Sequence, residues 1–312
     1  MIQVNDADRI SWYFRSRRAE GALFRHILVP ATGTDNDAPV FAAALEIARA
    51  SNSHLQFLHV RADVRQTLIA MSSGHVIGGG AVGYYTILDA LEYRVAERQR
   101  SAELAFREFC DRERLPVSSE PSAGLPSAEW SVELGDEPAW LAKYGRAADL
   151  LVIGRAREGK TVSMDVLAAG LMQTGRPMLI VPAKLLDHRS GIVAIAWKNR
   201  REAARAVAAA RPFLAMAKQV VIFCVDEGAQ DDERSRERLK YALSWHNAHT
   251  TVRTLEQDAG PPVETVLAAA GAARADLLVM GGYGHSRIRE VFFGGFTRHV
   301  LLGADLPILM AH

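Results

Sequence analysis

The chain has 312 residues, of which 49% are hydrophobic and 23% are charged, and its 37 basic and 36 acidic side chains give a formal net charge of +1. This length favours two domains, each with its own core, and the near-neutral charge argues against binding of nucleic acid or of a membrane surface through overall electrostatics. The two cysteines, Cys110 and Cys224, are far apart, which suggests neither a disulfide framework nor a thiolate zinc site.

Targeting and membrane segments are not apparent in the sequence. No apolar run approaches the roughly 18 residues that a transmembrane helix needs, and residues 1–23 lack the apolar core of a secretory signal. We therefore expect a cytoplasmic protein with no membrane partner, in which residues 1–23 form an N-terminal extension.

The first half of the chain alternates predicted strands with predicted helices. Apolar runs predict strands at 25–30, 54–60, 129–134, 149–154 and 177–182. Helical periodicity or helix-start residues predict helices at 38–50, 86–113 and 138–146. The glycine-rich segment 74–83 has no clear period and predicts a long loop, either a lid or a disordered insertion. This alternation is typical of a parallel sheet covered by helices.

The same order of elements repeats in the second half, after a polar linker at 184–190. Strands are predicted at 191–197, 219–225, 250–255, 275–280 and 306–310, and helices at 201–213, at 232–246 and after 260–262. The runs Asp149-Leu-Leu-Val-Ile-Gly154 and Asp276-Leu-Leu-Val-Met-Gly281 differ at one position in six. We interpret the repeat as a duplication that gives two domains, 24–183 and 191–312.

A glycine-rich stretch follows the predicted strand at 275–280. It begins Gly281-Gly-Tyr-Gly284 and ends, after nine further residues, with Gly294-Gly295-Phe296-Thr297. Such glycines permit close backbone approach and leave bare amides at the start of a helix, where phosphate binds. The alternative is a tight strand-to-helix connection without a ligand, but the full spacing between a strand and a helix favours a phosphate site.

This spacing of Gly, two residues, Gly, nine residues and Gly resembles the nucleotide-binding signature of the universal stress protein family. The family signature normally closes with Gly followed by Ser or Thr, whereas Gly295 occupies the hydroxyl position here and Thr297 lies two residues on. The resemblance extends over both halves, from Phe24 to the C-terminus. It implies an α/β fold of two tandem doubly wound domains, each a five-stranded parallel sheet with helices on both faces.

The resemblance also implies how the two domains pair. Domains of this family commonly associate through their last strands, which would place 177–182 and 306–310 at the centre of the molecule. Ligands of such sheets bind outside the carboxyl ends of the strands, where the winding direction switches. The glycine loop lies on that edge in the second half.

A nucleotide, ATP or AMP with or without Mg²⁺, is the cofactor that the resemblance implies for the second half. Lys198 occupies the position of the family's acidic residue that holds the nucleoside, and a lysine cannot accept hydrogen bonds from ribose hydroxyls. It could point at a phosphate instead, or indicate a ligand other than ATP. Val225 matches the place of a backbone contact with the base, although core packing is the alternative. The full set of expected binding residues is Lys198, Val225, Gly281, Gly284, His285, Arg287, Gly294, Gly295, Phe296 and Thr297.

The first half contains a competing motif. Gly154-Arg-Ala-Arg-Glu-Gly159-Lys160-Thr161 matches the Walker A pattern, and an aliphatic run ending at Asp226 resembles Walker B. Bulky Arg155, Arg157 and Glu158 fill a loop that must wrap phosphate closely. The loop also follows the fourth strand of five, so we interpret it as a shortened, degenerate copy of the glycine loop, with Thr32 at the acidic position.

No catalytic set or metal site emerges from the remaining residues. His246 and His249 lack a third ligand nearby, and the adjacent His285 and Ser286 lack an Asp to orient the imidazole. We expect a stress-response or signalling protein that binds nucleotide, hydrolyses it weakly at most, and acts through an unidentified protein partner or as a homodimer. The alternatives are an interaction module of the same fold that binds no nucleotide, and a nucleotide-dependent enzyme that uses the Gly154 to Thr161 loop.

Overall fold

The ten predicted strands are all present in the structure, a computed structural model that describes residues 24–65, 81–120, 126–155, 162–184, 190–226, 231–256, 261–282 and 305–312. The predicted extension 1–23, most of the linker and most of both glycine loops lie outside these residues. The strands are β1 (His26–Pro30), β2 (His54–Arg61), β3 (Ser127–Leu134), β4 (Leu150–Gly154), β5 (Met178–Val181), β6 (Ile192–Ala196), β7 (Gln219–Val225), β8 (Thr250–Leu255), β9 (Leu277–Gly281) and β10 (Ile308–Ala311).

Eight helices connect these strands within the described residues. They are α1 (Asp37–Ser51), α2 (Ala81–Glu113), α3 (Glu137–Gly145), α4 (Met164–Gln173), α5 (Arg201–Ala209), α6 (Arg211–Met216), α7 (Asp231–Ser244) and α8 (Pro262–Ala272). Among the described residues, no helix combines the length and the apolar character that crossing a bilayer requires.

Two predicted elements differ from those in the structure. Helix α2 begins at Ala81, so Gly83 is helical and not part of a loop, while 74–80 lie outside the described residues. The single helix predicted at 201–213 is divided into α5 and α6 at Ala210. Pro212, in the first turn of α6, has no N–H to donate to the preceding turn, so a continuous helix would lose a hydrogen bond there.

The strands form one continuous ten-stranded sheet in the order β3-β2-β1-β4-β5-β10-β9-β6-β7-β8. Each half contributes five parallel strands, as predicted, and the halves join where β5 and β10 pair antiparallel, with Leu309 opposite Leu179. The predicted association through the last strands is confirmed, but the two sheets are merged into one. The domain boundaries at 183 and 191 stay a prediction.

Side chains alternate between the two faces of the sheet and build two cores. In β1, Ile27 and Val29 pack on one face with residues of α1, α2, α5 and α6. Leu28 packs on the opposite face with residues of α3, α4 and α8. Both cores include residues from both halves, because β5 and β10 carry each buried layer across the junction.

The acidic residue that opens each repeated run has a structural role. The Asp149 carboxylate accepts hydrogen bonds from the backbone amides of Arg25 (2.8 Å) and His26 (3.0 Å), at the start of β1. The Asp276 carboxylate accepts bonds from the amides of Gly191 (2.6 Å) and Ile192 (3.2 Å), and also from the amide and hydroxyl of Ser190. Each carboxylate therefore fixes the entry of the first strand of its own half.

Replacement of Asp276 by alanine should lower the free energy of unfolding by about 1–3 kcal/mol, because hydrogen bonds from the start of β6 to a charged group are lost. Asp149→Ala should cost less, since that carboxylate accepts fewer bonds. Urea denaturation measures both, with Asp111→Ala on the exposed surface of α2 as the control, expected to change stability by less than about 0.5 kcal/mol. Equal losses for all three variants would contradict this role.

Candidate functional site

The crevice between β6 and β9 is the point where the second half changes its winding direction. From β6 the chain proceeds outward to β7 and β8, and it then returns to β9 and β10 on the other side of β6. Ligands of open α/β sheets bind outside the carboxyl ends of the strands at such a point. Lys198 follows β6 by two residues and Gly281 ends β9, so the structure brings these two predicted residues to the same crevice.

Gly281 is the last residue of β9, pairs with Ala311 of β10 and is needed for helix packing. A Cβ atom on Gly281 would lie 2.5 Å from the amide nitrogen of Ala203, in the first turn of α5. The amide of the next residue, Gly282, donates to the carbonyl of Ala311 at 2.8 Å. The absence of a side chain at 281 thus lets α5 begin directly against the end of β9.

A basic turn connects β6 to α5. Lys198, Arg200 and Arg201 are exposed, whereas Glu202 is buried. The Nε of Arg201 donates to the Glu202 carboxylate at 2.7 Å, and this bond lowers the pKa of Glu202. The turn therefore carries three cationic side chains and one carboxylate, so this part of the crevice is positively charged.

His312, the residue after β10, contacts the start of the glycine loop. Its Nδ1 donates to the carbonyl of Gly282 at 3.1 Å, and Arg205 of α5 donates to the carbonyl of His312 at 2.9 Å. The end of β9, the end of β10 and helix α5 are thus connected where the glycine loop begins.

The other predicted site residues divide into two groups. Val225 ends β7 and packs partly buried against the core on the α8 face, so its packing role is observed, while a contact with a base stays a prediction. The rest lie outside the described residues, and their ligand roles also stay predictions: Gly284, His285, Arg287, Gly294, Gly295, Phe296 and Thr297.

The corresponding turn of the first half encloses a carboxylate from its own helix. Asp37, in the first turn of α1, is only 3% exposed. Its oxygens accept hydrogen bonds from the Thr32 amide (3.0 Å), the Thr32 hydroxyl (2.7 Å) and the Gly33 amide (2.7 Å). Burial raises the pKa of Asp37, and these hydrogen bonds offset part of that rise. Thr32, at the family's acidic position, therefore binds an internal acid.

Helix α2 and strand β2 pack against this turn. The Nε of Arg98 donates to the Thr32 carbonyl at 2.8 Å, and a Cβ on Gly33, whose φ is +70°, would lie 2.3 Å from the Arg98 carbonyl oxygen. Buried His59 donates from Nδ1 to the Ala31 carbonyl at 2.8 Å and stacks on Trp130. Among the described residues, the turn between β1 and α1 is thus packed by the protein's own side chains.

The geometry argues against the Walker A interpretation. Gly154 ends β4, and Asp226, the Walker-B-like acid, follows β7. Five strand spacings, about 24 Å, separate β4 from β7 across the sheet. Because the two halves run antiparallel, these positions also lie at opposite ends of the strands. Arg155 is buried and donates from a terminal guanidinium nitrogen to the Leu306 carbonyl at 3.5 Å, so its side chain contributes to the junction between the halves. No group of metal-binding side chains occurs in the described part of the chain.

Several residues of these two turns were not identified from the sequence. Asp37 lies one residue before the helix predicted at 38–50, but it is the first residue of α1. The N-cap residue Asn36 makes no side-chain capping bond, and the Asp37 carboxylate binds the preceding turn. Arg200 and Arg201 were missed as well. The signal for them in the sequence is a difference in charge between the two copies. The turn after β1 carries neutral and acidic residues, whereas the turn after β6 carries basic ones.

Comparisons with known proteins agree with this geometry. Residues 200–312 match the family model of the universal stress protein family. No curated protein sequence matches the chain.

Solved structures resemble the whole chain in fold. A universal stress protein from Archaeoglobus fulgidus DSM 4304 is 16% identical, with 92% of this chain and 95% of that chain covered and a TM-score of 0.63. A protein of Pseudomonas aeruginosa UCBPP-PA14, provisionally described as a universal stress protein, is also 16% identical, with 94% of each chain covered and a TM-score of 0.55. Both likenesses span both halves, so the tandem arrangement of the fold is shared.

Replacement of Gly281 by alanine should destabilise the protein by about 1–3 kcal/mol, because the new methyl group would overlap the backbone of α5. Gly271→Ala, in α8, is the matched control, because a Cβ there meets nothing within 4 Å. That change should be neutral or should stabilise the protein by up to about 1 kcal/mol, as helix propensity rises. Urea denaturation measures both, and tolerance of both changes would contradict the packing role of Gly281.

The stability of the protein should depend on pH through the buried His59 and the half-buried His54. Burial lowers the pKa of both His54 and His59, so the unfolded chain takes up their protons first as the pH falls below about 6.5. Stability should therefore decrease from that pH down to the folded pKa values.

His59→Asn keeps an N–H donor near the position of Nδ1 but cannot titrate. Urea denaturation between pH 7.5 and 5.5 should show a shallower loss of stability than in the wild type, by at most about 1.4 kcal/mol per pH unit. His249→Asn on the exposed surface is the control. The prediction is wrong if the His59 variant and the wild type have the same slope.

Proposed function

The second half of this chain, residues 200–312, belongs to the universal stress protein family and β1–β5 repeat its fold, and we propose that the protein binds a nucleotide such as ATP or AMP at the crevice between β6 and β9. The observation that carries the proposal is the position of this crevice. The glycine-rich stretch and the turn at Lys198 leave the sheet from the two strands that flank the switch point.

Charge and packing at the crevice support an anionic ligand. Lys198 and Arg200 precede α5 and Arg201 begins it, and Gly281 allows that helix start to lie against the end of β9. Helix N-termini and basic side chains both stabilise bound phosphate. The phosphates of the nucleotide would bind to the glycine stretch after β9, and the nucleoside would lie towards β6 and β7.

The proposed output is conformational. A Cβ on Gly282 would lie 2.7 Å from the Leu171 side chain of α4, so the start of the glycine loop touches the first half directly. A ligand bound to this stretch would therefore act on a contact between the two halves and would alter the surface offered to a protein partner. This role requires no hydrolysis.

An interaction module without nucleotide is the second candidate, and one surface feature favours it. Tyr241 and Trp245 are 68% and 76% exposed near the end of α7, with ring centroids 6.3 Å apart. Exposed aromatic side chains are enriched at protein interfaces. The two candidates differ in whether any nucleotide binds.

Calorimetric titration of ATP and AMP, with and without Mg²⁺, tests the proposal on the wild type and on Gly284→Trp. The bulky indole should weaken binding at least tenfold, because it occupies the loop where the phosphates would bind. Lys160→Ala in the first-half loop is the matched control and should bind as the wild type does. Circular dichroism and thermal unfolding verify that each variant is folded.

Two results would overturn the proposal. Binding that is lost only in Lys160→Ala would assign the site to the first half and support a nucleotide-dependent enzyme. No binding to any folded variant would favour the interaction module.

A further inference from the structure

We propose that the outer face of α7 binds the same face of a second copy of this chain, with the two helices antiparallel. The face consists of Arg234, Arg238 and Tyr241 of α7 and of Trp245, the residue directly after the helix, and is called the α7 stripe below. Each arginine of one copy lies on an aromatic ring of the other. The proposal holds whether or not a nucleotide binds at the crevice.

The two aromatic residues of the α7 stripe face solvent. Tyr241 is 68% and Trp245 is 76% exposed, and their rings meet edge to face with centroids 6.3 Å apart. The packing of α7 on the sheet does not require them, because Ser235 and Leu243 are the buried residues of the inner face of the helix. Large aromatic surfaces that remain in water are typical of interaction sites. The stripe therefore has the character of a docking surface.

The order of residue types makes the α7 stripe self-complementary. Its residues are separated by four, three and four positions, which places them on one side of a helix. This spacing is the same from either end, whereas the residue types are reversed, because the arginines come first and the aromatics last. In an antiparallel pair related by a two-fold axis, Arg234 therefore lies opposite Trp245 of the second copy, and Arg238 lies opposite Tyr241.

The charges of the stripe favour this arrangement over a parallel one. A guanidinium group over the ring of Trp or Tyr is attracted by the ring quadrupole, and more strongly when both groups leave water. Both arginines are exposed, and Glu237, which lies between them in the sequence, pairs with Lys240 at an N–O distance of 3.6 Å. A parallel pair would place arginine against arginine. The antiparallel pair places every arginine against a ring.

The position of α7 in the fold leaves room for a second copy. The helix packs on β7 and β8, and β8 is the last strand in the order of the sheet. The junction between the two halves is formed by β5 and β10, far along the sheet from this end, so pairing through α7 leaves that junction intact. Two helix faces bury less surface than an interface of standard size, so we expect the association to be reversible.

Sedimentation velocity of the full chain over a wide range of protein concentrations tests the proposal. The wild type should convert reversibly from monomer to dimer as the concentration rises. An aromatic-lacking variant carries Tyr241→Ala and Trp245→Ala, and an arginine-lacking variant carries Arg234→Ala and Arg238→Ala. Each should dimerise at least about tenfold more weakly than the wild type, because each loses every contact between an arginine and a ring.

A mixture of the two variants tests the register of the helices. A mixed pair keeps the rings of one copy against the arginines of the other, whereas a pair of identical variants keeps none of these contacts. The mixture should therefore form heterodimers more tightly than either variant forms homodimers. A matched control, Tyr93→Ala with Arg94→Ala on the exposed surface of α2, should dimerise as the wild type does. Circular dichroism verifies that all variants are folded.

Three results would contradict the proposal. A wild type that stays monomeric at every concentration would exclude a second copy as the occupant of the stripe. A dimer that persists unchanged in the aromatic-lacking variant would place the interface elsewhere. Weakened dimerisation in the variants without any gain in their mixture would refute the antiparallel arrangement of arginines over rings.

Discussion

The antiparallel pairing of β5 with β10 is the constraint on which the rest of the structure depends. It satisfies the backbone groups that each half would otherwise leave on an exposed edge strand, and it joins the buried layers of both halves into two continuous cores. Because the pairing is antiparallel, the carboxyl ends of the two sets of strands lie on opposite edges of the sheet. The residue after β4 and the residue after β9 each contact the other half: Arg155 donates to the Leu306 carbonyl, and Gly282 lies against Leu171.

The turn between the first strand and the first helix differs in charge between the two halves. In the first half it surrounds the buried carboxylate of Asp37, whose desolvation is offset by charge-assisted hydrogen bonds from Thr32 and Gly33, so the turn is satisfied without a ligand. In the second half it carries exposed cations at Lys198 and Arg200. The two copies of this turn therefore differ in charge: the first-half copy binds a carboxylate of its own helix, and the second-half copy exposes cationic side chains.

The sequence predicted the fold well because buried parallel strands are short apolar runs between turns, and all ten were located within a few residues. Errors arose where local chemistry competed with periodicity, as at Pro212, or where glycine was interpreted as part of a loop, as at Gly83. Of the glycine spacing, the structure places Gly281 at the end of β9, beside the crevice, and the ligand role of the stretch stays a prediction. The closure of the first-half turn could not be predicted, since Thr32, His59 and Arg98 are brought together by three different elements far apart in the chain.

The glycine that ends the fourth strand of each half illustrates why a motif and a site need separate arguments. A Cβ on Gly281 would meet the backbone of α5, and a Cβ on Gly154 would lie 3.2 Å from Val40 of α1. Helix packing therefore accounts for glycine at both positions, including the first half, where the turn after β1 binds its own carboxylate. Glycine at 281 does not by itself indicate a ligand. The two halves differ in the turn between their first strand and first helix, which follows β1 in one half and β6 in the other. The charge of that turn, and not the glycine that ends the fourth strand, therefore distinguishes the two halves.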